Sequence, residues 1–243
     1  GDRGSGGPRP SVIPTVVILD HGAGAREARG LVVVIDVFRA FTVACHVVTA
    51  GAARLHPLTD PRRALALCAE HAGWLAIGER HGRRLPGFDF GNSPSEIRGA
   101  DLHGRTVVHT THAGTEGLMH AGLADEVLTG SLVNAAAICR YIRRRQPSQV
   151  SLVRMGQEAR ERCAEDDLCA DIIAARLAGN SPDAAALAAE LRYAPSARRF
   201  LDPEADWAPE ADLGYCIDVD RFDFVLRLED RDGELPWLAR IDV

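Results

Sequence analysis

Apolar residues come along this chain in two rhythms. Short runs dense in Val and Ile, "VIPTVVIL" (12–19) and "LVVVIDV" (31–37), read as strands. The second lacks polar alternation, as a strand covered on both faces requires. "RLHPL" (54–58), "WLAIGER" (74–80), "TVVHTT" (106–111), "EVLTG" (126–130) and "QVSLVRMG" (149–156) predict further strands. Between them, apolar residues recur at helical spacing in 38–51, 61–73, 115–124, 132–145 and 164–179. Gly51 is a stop signal for the first of these helices, and Pro61 falls in the first turn of the second. Residues 181–201 predict one more helix, and "LGYCIDV" (213–219) and "RFDFVLRLE" (221–229) two more strands.

Such regular strand–helix exchange predicts an α/β fold, a three-layer α/β/α domain around a largely parallel or mixed central sheet. The expected organisation is a single domain over 11–243, preceded by a flexible Gly/Pro-rich tail over 1–10. The tail has no hydrophobic segment of the signal-peptide kind, and no apolar run reaches the roughly 20 residues of a membrane helix, so cytoplasmic residence is expected.

Composition narrows the chemistry. The six cysteines are scattered through apolar contexts without a CxxC pair, which predicts buried free thiols. There is no lysine; all 28 basic residues are arginines, which excludes a Walker A loop and any lysine Schiff base. A net charge of −6 argues against a general nucleic-acid surface. An anionic substrate must therefore be held by arginine, backbone N–H groups or a metal.

In open α/β sheets, ligands sit at the carboxyl ends of the strands. Those ends carry Asp36 and Arg39, then Glu79 and Arg80 with "HGRRLPGFDFGNSPSE", then "HAGTEG", then a polar loop leading to "CAEDD". Oxygen-rich edges suit a hard cation such as Mg²⁺, and the "TTHAGTEG" turn offers hydroxyls and backbone amides to a phosphate. The mixture points to metal-assisted hydrolysis of a phosphate ester. Helical phase in 164–179 turns Glu165 and Asp166 toward the buried face and its border, while Asp167 and Asp171 point away. Alternation along the strand separates His109 from His112, and without a third ligand zinc is set aside.

The segments "VVVIDVFRAFT", "GERHGRRLPGFDFGNSPSE", "TTHAGTEGL", "GSLVNA", "MGQEARERCAEDDLCADII" and "DLGYCIDVDRFD" occur in an order that resembles the 2-phosphosulfolactate phosphatase family over about residues 30–225. The resemblance implies a three-layer α/β fold, commonly dimeric, and Mg²⁺-dependent hydrolysis of 2-phospho-3-sulfolactate to sulfolactate and phosphate. The expected partner is a small anionic phosphate ester, either that compound or a related phosphorylated hydroxy-acid. The "THAGT" loop departs from the TNGT-type loop of the more widespread branch, and His112 adds a titratable group there. A diverged enzyme handling a different phosphorylated intermediate is the alternative, with a non-catalytic anion-binding module behind it.

By motif position the resemblance falls on Asp36, Arg39, Glu79, Arg80, Asp89, Asn92, Ser93, Thr111, Gly114, Thr115, Glu165 and Asp166. The roles expected from their chemistry place the metal on Asp36, Glu79 and Asp166, directly or through water. Arg39 and the Thr111–Thr115 turn, including Gly114, would hold phosphate, with Asn92, Ser93 and His112 beside it. Arg80 would take a second anionic group, and Asp89 or Glu165 would orient the attacking water. Whether an aspartate instead attacks phosphorus covalently is left open by the sequence.

Overall fold

A computed structural model describes residues 13–243; the expected tail over 1–10 and the first residue of the 12–19 strand lie outside the described residues. The elements run β1 (Thr15–Asp20), α1 (His21–Glu27), β2 (Gly30–Ile35), α2 (Ala40–Thr49), β3 (Arg54–Pro57), α3 (Pro61–Glu70), β4 (Leu75–Arg80) and β5 (Arg83–Arg84). They continue with α4 (Pro94–Arg98), β6 (Thr106–Thr110), α5 (Gly114–His120), β7 (Ala124–Gly130), α6 (Ala135–Arg145), β8 (Gln149–Arg154) and α7 (Ala164–Leu177). The last are α8 (Ala184–Glu190), α9 (Arg198–Leu201), α10 (Glu210–Cys216), β9 (Phe224–Glu229) and β10 (Trp237–Asp242).

The α/β expectation holds, with the strands divided between two sheets. One has the order β1-β8-β2-β7-β9-β10, the other β3-β6-β4-β5. In the first, β1, β8, β2 and β7 are parallel, and β9 and β10 add an antiparallel edge. In the second, β3, β6 and β4 are parallel. Strand β2 explains why its run is apolar throughout. Leu31, Val33 and Ile35 pack with Ile138, Ile142 and Ile172 from α6 and α7, while Val32 and Val34 face Ala25, Phe41 and Leu118 on the opposite side. Helix α2 is buried on nearly all sides, because Val43, Cys45 and Val47 lie between β2 and the second sheet's Leu55, Ile77 and Val107. On that sheet's other face α3 packs Ala64 and Leu67 against Ala76 and Val108.

Two expectations at the C-terminal third change. Residues 181–201 do not form one helix; α8 stops at Glu190, and short 3₁₀ turns lead around Pro195 into α9. Proline lacks the N–H and restricts the residue before it, so the chain breaks there. "LGYCIDV" is not a strand: its first four residues close α10, where Asp212, Leu213 and Cys216 share a buried face at helical spacing. The free-thiol expectation matches six unpaired cysteines, four of them buried.

The two sheets present their carboxyl ends to one another. Strands β2 and β8 from the first, and β4 and β6 from the second, all run out toward a shared cavity of about 250 Å³.

Candidate active site

Each strand end contributes one piece of this cavity. Beyond β2, Asp36 is buried, and its Oδ1 accepts a hydrogen bond from Ala40 N–H at the start of α2. Beyond β8 the chain reaches α7, whose first turn holds Glu165 and Asp166, both buried. Asp166 spans two strand ends, since Oδ1 accepts from Val37 N–H (2.9 Å) and Oδ2 from Gly156 N–H (2.8 Å). Glu165 accepts from the Ser196 hydroxyl. Glu79, the next-to-last residue of β4, clamps two loops: Oε2 accepts from Gly82 N–H and Oε1 from His112 N–H, each at 2.8 Å.

Two of these carboxylates, Asp36 and Asp166, have a raised affinity for protons. Burial pushes the Asp36 carboxyl up to about 7, and the charges of Glu79 and Glu165 push the same way against the Ala40 amide and Arg199. Burial, then the charges of Asp36 and Glu165, hold Asp166 well above the ordinary carboxylate range, although two amides oppose this. Like charges held this close and out of water favour protonation, or a cation between them.

Two guanidinium groups line the same cavity. Arg39 forms an ion pair with Asp212 (2.9 Å), both side chains being almost fully buried, and also donates to the carbonyls of Trp207 and Gly82. Asp36 is therefore not its partner. Asp212 is completed by Ser93 Oγ and by the amide and hydroxyl of Ser95. Arg199, just past the broken helix, donates to Phe38 O, while its buried Nε finds no acceptor. Burial and the nearby Arg39 lower its pKa from the usual arginine value.

The expected site residues separate into two groups. Asp36, Arg39, Glu79, Asn92, His112, Glu165 and Asp166 meet at the cavity. Asn92 Oδ1 also accepts a hydrogen bond from His109 Nε2–H, and burial lowers the His109 pKa to about 4. The others lie outside the lining. Asp89 is exposed, with Oδ2 accepting from Ala76 N–H, and Arg80 donates to the carbonyls of Glu79 and Thr59. Ser93 caps α4. Thr111 and Thr115 satisfy each other: each hydroxyl accepts the other residue's amide, and Thr115 Oγ1 donates to Thr111 O. Gly114 is a point of close approach, where a Cβ would come within 2.9 Å of both Asp36 Oδ2 and Ala40 Cβ. Gly82 has φ +78°, and a Cβ there would overlap the Trp207 ring.

Sequence reasoning missed His81, Glu158, Ser196, Arg199 and Trp207 in the lining. Arg199 and Ser196 sat in a stretch read as continuous helix, and Pro195 was the available signal that the chain turns there.

A family model described as 2-phosphosulpholactate phosphatase matches residues 19–231. A protein of Caldanaerobacter subterraneus named probable 2-phosphosulfolactate phosphatase is 30% identical over 212 residues, covering 82% of this chain and 87% of that one. A Bacillus subtilis protein with the same name is 27% identical over 213 residues, 86% of this chain and 91% of its own. One from Carboxydothermus hydrogenoformans, also so named, is 40% identical over 111 residues, 46% of each chain. The family match runs from the end of β1 to beyond β9 and so takes in every strand end that builds the cavity: this chain belongs to the 2-phosphosulpholactate phosphatase family.

Proposed function

We propose that this protein is a Mg²⁺-dependent phosphatase that hydrolyses a small phosphorylated hydroxy-acid, 2-phospho-3-sulfolactate or a close relative, to the alcohol and inorganic phosphate. The observation that carries the reading is the enclosure of four buried carboxylates, Asp36, Glu79, Glu165 and Asp166, with two guanidiniums in one cavity. Acids in this excess repel a phosphate ester unless a cation intervenes, and oxygen donors suit Mg²⁺. The residues fit the ion: Asp36, with Oδ1 alone taken by an amide, would hold it directly, and Glu79 and Asp166 would act through water because both oxygens of each already accept backbone amides. When bound, Mg²⁺ supplies positive charge against which the phosphoryl oxygens are polarised.

This chain's own residues do the rest. Arg199 meets the phosphate, since its Nε lacks an acceptor and a guanidinium matches phosphate geometry bidentately. Arg39, held on three acceptors, contributes charge and shapes the wall. Glu165, oriented by Ser196, accepts a proton from the attacking water; exposed Asp89, away from the lining, is poorly placed for that. A homodimer, which the resemblance implies, and residence in the cytoplasm complete the proposal; among the described residues no helix is long and apolar enough to cross a membrane.

The test is phosphate release from 2-phospho-3-sulfolactate and a panel of phosphorylated three- and four-carbon acids, with Mg²⁺ and with chelator. Release that needs Mg²⁺ and leaves the carbon skeleton unchanged is expected. Folded protein that releases no phosphate from any of them overturns the proposal. A changed carbon skeleton favours the second reading, a diverged enzyme, which the His112 departure in the "THAGT" loop motivates.

A further inference from the structure

Three loops, after β4, β6 and β8, each bring one further donor to the same cavity. His81, His112 and Glu158 place one ligand atom apiece within 4.8 Å of the others, and among the described residues this is the grouping of three that closes to such a spacing. The carboxylates of Asp36, Glu79 and Asp166 share the cavity without closing to it.

The arrangement is built. Glu79 ties the two histidine loops together by accepting both the Gly82 and the His112 amides. His81 and Glu158 each adopt the left-handed backbone, φ +53° and +51°, which turns consecutive residues of short loops out of register with the strands behind them. The imidazoles of His81 and His112 stand edge to face, 5.8 Å between centroids. A plain histidine–carboxylate pair accounts for His81 Nδ1 against Glu158 Oε1 at 2.6 Å. It does not account for His112, whose Nδ1 is buried without a hydrogen-bond partner. A buried ring nitrogen left unmatched costs free energy, and a ligand that accepts its lone pair removes the cost.

We propose that His81, His112 and Glu158 bind one divalent transition-metal ion of the Zn²⁺ type, at a site separate from the Mg²⁺ carboxylates. Two imidazoles and one carboxylate suit Zn²⁺ or Co²⁺, whereas Mg²⁺ prefers oxygen alone. Three protein ligands leave a coordination position for water or a substrate oxygen, as catalytic and not structural zinc sites do. Zinc was set aside on sequence because His109 and His112 diverge; the structure pairs His112 with His81 instead, from a different strand end. The inference needs no phosphatase activity, only the cluster.

The test is Co²⁺ titration of metal-stripped protein in the presence of excess Mg²⁺, followed by visible absorption and reversed by Zn²⁺. One equivalent with histidine-ligated bands is expected. His112→Ala and His81→Asn, the latter tolerant of left-handed backbone, should each weaken binding beyond the roughly 10–100-fold that loss of an outer partner causes. Glu79→Gln, which removes one of two amide acceptors, should weaken it within that range. X-ray absorption of the Zn²⁺-loaded wild-type protein requires no variant and should show two imidazole ligands. Absence of Co²⁺ binding, an all-oxygen shell, or bands that persist in a folded His81→Asn/His112→Ala double variant would overturn the proposal. Phosphate release with Mg²⁺ alone is scored separately, so the two readings fail independently.

Discussion

Arg39 and Arg199 line the same cavity, each within 6 Å of the Phe200 ring centroid, yet their surroundings differ in kind. Arg39 is almost fully buried and its guanidinium is spent on Asp212 and two carbonyls. Arg199 is part-buried, makes a hydrogen bond to one carbonyl, and keeps a buried Nε without an acceptor. One arginine is consumed in holding α10 and the Gly82 turn against the end of β2; the other retains the capacity to bind an anion. Proximity to a motif in sequence put Arg39 forward for phosphate, but capacity is decided by which donors remain unmatched.

Truncating each arginine in turn should separate the two roles. Arg39→Ala strands Asp212 as an uncompensated buried charge and should destabilise the fold by about 3–5 kcal/mol in chemical denaturation. Arg39→Met combined with Asp212→Leu should recover part of that loss, because no lone charge remains. Arg199→Ala should instead leave the midpoint close to wild type while lowering kcat/KM roughly 10²–10³-fold, the usual effect of removing a donor to developing charge. A large stability loss in Arg199→Ala with unchanged kinetics would reverse the two assignments.

Asp36, on which the Arg199 charge acts, adds a dependence on pH. Asp36 has a folded-state pKa of about 7 against an ordinary 3.8, so the metal-free folded protein retains a proton that the unfolded chain releases. Its contribution to stability therefore falls as pH rises from about 4 to about 7, and is most unfavourable above that window. Asp36→Asn should stabilise chelator-treated protein at pH 8 by on the order of 2 kcal/mol, change little near pH 4, and abolish phosphate release. Equal melting curves at both pH values would remove the electrostatic argument for a cation. Ser196→Ala, the smallest change, should cost about 1 kcal/mol and lower kcat with little effect on KM, because Glu165 loses its orienting hydroxyl.

Much of the fold was legible because burial on both faces demands unbroken β-branched runs. "LVVVIDV" could be placed centrally from its composition, and the phase of 164–179 turned Glu165 and Asp166 inward, as they lie. The last third was less legible. "LGYCIDV" has the β-rich look of a strand, but Leu213 and Cys216 are three apart and share a helical face, with Asp212 beside them facing Arg39.

The alternation of strands and helices, the absence of lysine chemistry and the segments that end in acids and arginines follow from local periodicity and side-chain type, so they can be read along the chain. Which polar groups are already satisfied depends on how the chain packs in three dimensions. Thr111 and Thr115 turn out to complete each other, Glu79 to clamp two loops, and Arg39 to belong to Asp212. The partner that satisfies a donor sits tens of residues away, 173 in the case of Arg39 and Asp212, and no local pattern encodes that distance in space. His81, His112 and Glu158 meet for the same reason: three strand ends converge, and convergence is a property of the packed sheets.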